Sequence, residues 1–86
     1  MKLSKVEQES LQHQCEEFVR VEKNISQGYR FYFPEDSVSQ SLFRGWYEVY
    51  AYFLNQNSTE HGEVKVQIYK DGRKPQITMF KMDRRN

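Results

Sequence analysis

The segment that most constrains the fold is "EVKVQIYKDGRKPQITMFKM", residues 63–82. Two runs of alternating apolar and polar residues flank Asp71-Gly72, a dipeptide that favours a two-residue hairpin turn because both positions tolerate positive φ. A turn at this point pairs Val66 with Ile77 and Val64 with Met79, which places the aliphatic side chains of both strands on one face. The opposite face then holds Lys65, Gln67, Tyr69, Lys74, Gln76 and Thr78. This sorting by polarity predicts a hairpin with one buried face.

The segment "GWYEVYAYFL", residues 45–54, contains five of the chain's thirteen aromatic residues. We expect a strand, because aromatic and β-branched residues favour pleated surfaces and Gly45 would otherwise lie inside a helix. The strand would turn Tyr47, Val49, Ala51 and Phe53 to one side and Trp46, Glu48, Tyr50 and Tyr52 to the other. A helix remains the alternative, and it would place Leu42, Trp46, Val49, Tyr50 and Phe53 on one face.

The N-terminal residues 4–25 are predicted to form a helix. Ser4 and Glu7 have the spacing of a capping box, in which each side chain accepts a hydrogen bond from the other residue's backbone N–H. Apolar residues recur at helical spacing on a narrow stripe that Glu22 interrupts, and Gly28 is expected to end the segment. The stripe consists of Leu11, Cys15, Phe18 and Ile25.

Between this helix and the aromatic run, "YRFYF" at residues 29–33 alternates like a strand and is closed by Pro34. "EDSVSQSLFRG" at residues 35–45 is expected to form a short helix. Ser37 and Gln40 have capping-box spacing, and Val38 and Leu42 would share one helical face. Gly45, directly after Arg44, is expected to end this helix. "NQNSTEHG" at residues 55–62 has the composition of a loop.

The expected fold is therefore a single α+β domain over residues 1–86. A long N-terminal helix packs on an antiparallel sheet of about four strands, in the order α-β-α-β-β-β, with a C-terminal β-meander. Eighty-six residues suffice for one modest core.

Composition argues against several functions. His13 and Cys15 lie two apart on a helix and His61 stands alone in a loop, so no metal site is expected. The four glycines lack phosphate-binding spacing, and no cofactor is implied. No nucleophile has an evident base beside it, and an enzyme is not expected. A single cysteine, a start without a secretory apolar region and no long apolar run together predict a cytoplasmic protein that does not associate with membranes.

The candidate site is the sheet face that the helix leaves open. Aromatic and basic side chains should gather there, and the expected partner-binding residues are Trp46, Tyr50, Tyr52, Tyr69, Tyr32, Arg30, Lys65 and Lys74. Tyrosine, tryptophan and arginine are frequent anchors of protein interfaces. We therefore expect a small protein-protein interaction module of the regulator or inhibitor type, which forms a homodimer or binds an unidentified protein. Single-stranded nucleic acid is the alternative partner, because bases stack on rings while cations follow phosphates. The net charge of only +1 weakens that alternative.

Overall fold

The computed structural model of the chain describes residues 3–41, 43 and 45–84. Within this part of the chain, one helix, α1 (Lys5–Glu22), packs on an antiparallel sheet. The strands are β1 (Tyr29–Tyr32), β2 (Val38–Gln40), β3 (Trp46–Asn55), β4 (Glu60–Tyr69) and β5 (Gln76–Arg84). The predicted α+β fold is confirmed, as is the meander of the last three strands. The aromatic run is a strand and not the alternative helix.

Helix α1 begins with the predicted capping box. The backbone N–H of Glu7 donates to Ser4 Oγ at 3.1 Å, and the backbone N–H of Ser4 donates to Glu7 Oε1 at 3.0 Å. The hydrogen bond from the Ser4 backbone N–H, followed by one from the Ser4 side chain, lowers the pKa of the Glu7 carboxyl, because both stabilise its charged form. Two of the four free N–H groups at the start of the helix region are thereby satisfied.

The helix ends earlier than the sequence predicted. Asn24 has φ 53°, in the left-handed region. The backbone N–H of Ile25 donates to the carbonyl of Arg20 at 2.9 Å, and that of Asn24 donates to the carbonyl of Val21 at 3.4 Å. This is a Schellman motif, in which a left-handed residue lets the chain turn back onto the last helical carbonyls. Asn24 therefore ends the helix, and the prediction that Gly28 does so was wrong.

The short helix predicted for residues 35–45 was also wrong where the structure describes it. Asp36 has φ 63°, which interrupts any helix at that point, and strand β2 follows. The carbonyl of Ser37 accepts a hydrogen bond from the Tyr50 backbone N–H at 2.8 Å. Pairing with β3 thus overrides the local helical pattern, because a buried strand must find partners for its backbone groups. Leu42 and Arg44, which entered that prediction, lie outside the described residues.

Strands β1 and β2 run along the same side of β3. Tyr32 in β1 pairs with Tyr52, and Val38 in β2 pairs with Val49. The chain between β1 and β2 is therefore an interruption of one edge, and the expected count of about four strands becomes five. The complete order across the sheet is β1 and β2 on β3, followed by β4 and β5.

The loop predicted for residues 55–62 is shorter than expected. Strand β3 extends to Asn55 and β4 begins at Glu60. Asn55 Oδ1 accepts hydrogen bonds from the backbone N–H groups of Thr59 (2.9 Å) and Glu60 (3.1 Å), which closes the connection tightly. His61 and Gly62 therefore belong to a strand and not to a loop.

The C-terminal hairpin is confirmed, with one change in register, but the predicted two-residue turn was wrong. Residues 70–75 connect the two strands, and only Gly72 (φ 85°) of the Asp71-Gly72 pair has positive φ. Val66 pairs with Ile77 as predicted, but Val64 pairs with Phe80 and not with Met79. A β-bulge between Lys65 and Val66 is the reason, because one extra residue in β5 reverses the facing of every later side chain. Met79 consequently lies opposite Lys65 on the polar face.

The core lies between α1 and the sheet face that we call the inner face. Its members that are fully buried are Cys15, Val19, Val49, Ala51, Phe53, Val64 and Val66. Phe53 is at the centre: its ring stacks on Phe31 at 5.1 Å and on Phe80 at 5.9 Å between centroids. The Phe53 ring also lies against the backbone of Gly62, the residue paired with it in β4. An aromatic ring thus fills the space that a side chain at position 62 would occupy.

Candidate functional site

The candidate site is the outer face of the sheet, opposite α1. No element among the described residues covers this face, because α1 packs on the inner one. Cross-strand pairing arranges its side chains in rows that run across the strands. In order, the rows are Arg30, Leu54, His61 and Asp83; Tyr32, Tyr52, Glu63 and Lys81; Tyr50, Lys65 and Met79; Ser39, Glu48, Gln67 and Gln76; and Trp46 and Tyr69.

Seven of the eight residues that the sequence predicted for partner binding lie on this face. They are Arg30, Tyr32, Trp46, Tyr50, Tyr52, Lys65 and Tyr69. Lys74 does not join them, because its Nζ lies 3.2 Å from Oε1 of Glu22 at the end of α1. The hairpin loop turns Lys74 toward the helix, which the strand alternation could not indicate. The partner-binding role of the other seven stays a prediction.

The most exposed rings on the outer face are those of Tyr32 and Tyr52, with 40% and 39% of their surface accessible. They are directly paired across β1 and β3, and the two rings stack at 5.3 Å between centroids with an interplanar angle of 18°. Stacking fixes both side chains in one arrangement before any partner arrives. Such preorganised rings lose little conformational entropy on binding.

Beside this stack, a hydrogen bond joins a tyrosine to a carboxylate. The Tyr50 hydroxyl donates to Glu63 Oε2 at 2.7 Å, and Lys81 Nζ lies 3.9 Å from Glu63 Oε1. The hydrogen bond to Glu63, followed by partial burial, raises the pKa of the Tyr50 phenol, because the carboxylate stabilises the protonated form. Tyr50 is therefore held in place by its own neighbours.

The far end of the face is also ordered by contacts between aromatic and polar groups. The rings of Trp46 and Tyr69 meet edge to face at 6.3 Å. The guanidinium of Arg73 lies 4.3 Å from the Tyr69 ring centroid. The Tyr69 hydroxyl is within hydrogen-bond distance of Oε1 of Gln67 (3.2 Å) and of Gln76 (3.0 Å). These contacts leave Trp46 and Tyr69 less accessible than the Tyr32–Tyr52 pair.

The charges of the outer face are balanced in the rows given above. Arg30, Lys65 and Lys81 are cationic, and Glu48, Glu63 and Asp83 are anionic. Glu48 and Glu63 lie on the same strands as the rings, whereas Asp83 lies on the edge strand β5. A phosphate backbone would meet repulsion at each of them.

A shallow depression of about 500 Å³ opens at the end of the face where β3, β4 and β5 run side by side. Tyr52, Leu54, His61, Glu63 and Lys81 contribute to its walls. The depression lies next to the exposed tyrosine stack, so the face offers both protruding rings and a place that a partner's side chain can enter. Interface anchors typically fill pockets of this kind.

Sequence reasoning missed several residues that the structure brings to the site. Met79 reaches the outer face only because of the bulge, and no local sequence pattern predicts that bulge. His61 and Leu54 arrive because the β3–β4 loop is short. Phe43, expected within a helix, lies in the β2–β3 connection with 95% of its surface exposed.

The structure also places the residues that were considered for catalysis and metal binding. Cys15, on α1, is fully buried in the core, and desolvation, with a smaller contribution from Glu16, raises the pKa of its thiol to about 12. His13 is exposed on α1, whereas His61 lies on the outer face, across the sheet from Cys15. Among residues 3–41, 43 and 45–84, no three His, Cys, Asp or Glu side chains come together in a way that could hold a metal ion.

When the chain was compared with family models, curated proteins and solved structures, nothing matched. The geometry of the outer face therefore supports the functional argument without help from relatives.

Proposed function

We propose that the protein is a protein-protein interaction module of the regulator or inhibitor type and that it binds its partner through the outer face. The observation that supports this most directly is the exposed, stacked pair of Tyr32 and Tyr52. Rings held in one conformation beside charges of both signs match the composition of protein interfaces, where aromatic anchors sit within a polar rim. The proposed location is cytosolic, and its support is a lone, buried cysteine that can form no disulfide within the chain.

Among the described residues, no helix is both long and apolar enough to cross a bilayer.

Capture from an extract of the source cells tests the proposal. The bait is the full chain, compared with a Tyr32→Ser/Tyr52→Ser double variant and with a Val21→Ser control. Val21 is 78% exposed on α1, so the control also removes an accessible apolar side chain but leaves the outer face intact. We expect the wild type and the control to capture the same proteins. The tyrosine variant should capture at least about tenfold less of them, since two anchor residues are lost. Equal capture by all three baits would contradict the proposal, provided that circular dichroism shows the same fold.

A second candidate function is single-stranded nucleic-acid binding. One observation favours it: Lys65 is paired directly with Tyr50, and Arg30 lies one row from the tyrosine stack. Against it stand Glu48 and Glu63 among the same rings. Protein binding is therefore the better supported of the two.

Fluorescence anisotropy with a labelled single-stranded oligonucleotide at low salt separates the candidates. Nucleic-acid binding requires an affinity that falls steeply with salt and weakens in Lys65→Ala. Lys74→Ala is the matched control, because that ammonium pairs with Glu22 on α1. Absence of binding at low salt, or equal effects of both variants, would remove this candidate.

A further inference from the structure

On the outer face, complementary groups lie at the two ends of the same row. Arg30, at the β1 end of its row, and Asp83, at the β5 end, are both exposed and lie on opposite sides of β3 and β4. In the next row Tyr32 lies at the β1 end and Lys81 at the β5 end. Each of these two rows therefore has complementary groups at equal distances from the line between β3 and β4.

We infer that the partner is a second copy of this chain, packed face to face about a two-fold axis that runs along the β3–β4 seam. The inference rests on the proposed function, and it names the occupant of the same face. Rotation about this axis keeps each row in place and exchanges its two ends. Arg30 then faces Asp83 of the second copy, and by symmetry the same contact forms twice.

Two further pairs of this arrangement are complementary. Tyr32 faces Lys81 of the second copy, and Tyr50 faces Lys65 of the second copy, so that each ammonium approaches an aromatic ring. Rows further along place Trp46 against Tyr69. No two groups of like charge oppose each other in any row.

Other two-fold axes fit less well. An axis across the strands through the Tyr50 row places Lys65 against Lys65 of the second copy, which is repulsive. Moving that axis half a row toward Tyr52 pairs Glu63 with Lys65, but it sets Leu54 against Glu48 and leaves Trp46 outside the interface. The axis along the seam is the one that buries all five rows without a charge conflict.

The size of the face limits the area that the dimer can bury. Four strands about 4.8 Å apart and five rows about 6.8 Å apart give roughly 600 Å² per copy. The total, about 1,200 Å², is at the lower limit of specific interfaces. A reversible dimer with a dissociation constant in the micromolar range is expected.

Sedimentation velocity on the full chain, from about 10 µM to about 1 mM, tests the inference. Arg30→Glu places a carboxylate against Asp83 of the second copy, and Asp83→Arg places a guanidinium against Arg30 of the second copy. Each variant alone should therefore dimerise at least about tenfold more weakly than the wild type. In a heterodimer of the two variants, the new carboxylate at position 30 faces the new guanidinium at position 83, and the native Asp83 faces the native Arg30. We expect this heterodimer to be close to wild type in strength.

Lys5→Glu and Glu17→Arg are the matched controls, because they introduce a carboxylate and a guanidinium at exposed positions of α1. Each control should dimerise like the wild type. Rescue in the mixture of Arg30→Glu and Asp83→Arg supports the seam axis. Rescue instead between Glu63→Lys and Lys65→Glu, without rescue at Arg30 and Asp83, would refute it.

The outcomes also separate the two proposals. A wild-type chain that stays monomeric at the highest concentration overturns the second copy as partner, while capture that depends on Tyr32 and Tyr52 would still support the proposed function. A dimer that is unaffected by Tyr32→Ser/Tyr52→Ser overturns this arrangement, because the chain then associates through another surface.

Discussion

Substituting Gly62 by alanine should destabilise the protein severely, although most glycine-to-alanine changes in strands are mild. A Cβ at position 62 would lie 2.4 Å from Cζ and 2.7 Å from Cε2 of Phe53, and 2.5 Å from the carbonyl oxygen of Lys81. Ordinary contacts of a Cβ begin near 3.4 Å, so the ring and the neighbouring strand must each move by about 1 Å.

The ring cannot move freely. Phe53 stacks between Phe31 and Phe80 and meets the edge of Tyr29, so a displacement of about 1 Å is passed on to three other aromatic rings. Overpacking of this kind costs about 1–3 kcal/mol, and the clash with a backbone oxygen places Gly62→Ala at the upper end. Alanine also lowers the conformational entropy of the unfolded chain, which offsets only about 0.4–1 kcal/mol of this cost.

We expect a net loss of about 2–3 kcal/mol in the free energy of unfolding. A chain of this size has a total of roughly 4–13 kcal/mol, and the melting temperature should fall by roughly 10–20 °C. Guanidinium titration followed by tryptophan fluorescence and far-UV circular dichroism measures the change.

Gly28→Ala is the matched control. Its Cβ would meet only Ser26 Oγ, at an ordinary 3.5 Å, and its φ is outside the left-handed region. The control should be neutral or slightly stabilised. In a Phe53→Leu background, which removes the outer ring atoms, Gly62→Ala should cost at least about 1 kcal/mol less than in the wild type. A Gly62→Ala protein within about 0.5 kcal/mol of wild type would refute the reasoning.

Two further predictions concern α1. Ser4→Ala removes the cap that accepts the Glu7 backbone N–H, and it should lower the free energy of unfolding by about 1 kcal/mol in a guanidinium titration; Ser10→Ala, exposed within the helix, should change it little. Burial raises the pKa of Cys15 to about 12 in the folded chain, so the unfolded thiol, with an ordinary pKa of 9.0, loses its proton first as the pH rises. Stability should therefore be lost as pH increases from about 9 toward 12, by up to about 1.4 kcal/mol per pH unit more than in Cys15→Ala. Equal slopes for the two proteins would show that the thiol is not shielded from water.

Local signals were sufficient for much of the architecture. The capping box of Ser4 and Glu7 formed as expected, because both partners lie within one helical turn. The Asp71-Gly72 pair located the connection between β4 and β5 and the near half of the hairpin register, although that connection is longer than the predicted two residues. Val49 and Phe53 could be assigned to the core because strand alternation needs only the neighbouring residues.

The wrong predictions share a physical cause. Residues 35–41 carry a helical pattern, yet β2 forms because its backbone hydrogen-bonds to β3, for example through the N–H of Tyr50. These hydrogen-bond partners lie far along the chain, so the local pattern does not contain them. The bulge that moves Met79 to the outer face depends on how β5 fits against β4. Lys74 leaves the candidate site because Glu22, some fifty positions away, is close in space.

The sequence by itself determined the fold class, the long helix, the aromatic strand and the position of the C-terminal hairpin, since each depends on residues that are near one another along the chain. Only the tertiary structure decided which rings remain exposed, that Tyr32 stacks on Tyr52, and that Arg30 and Asp83 lie at opposite ends of one row. Those facts depend on register between strands, and register is set by the combined packing of α1, Phe53 and Gly62, which no local pattern contains.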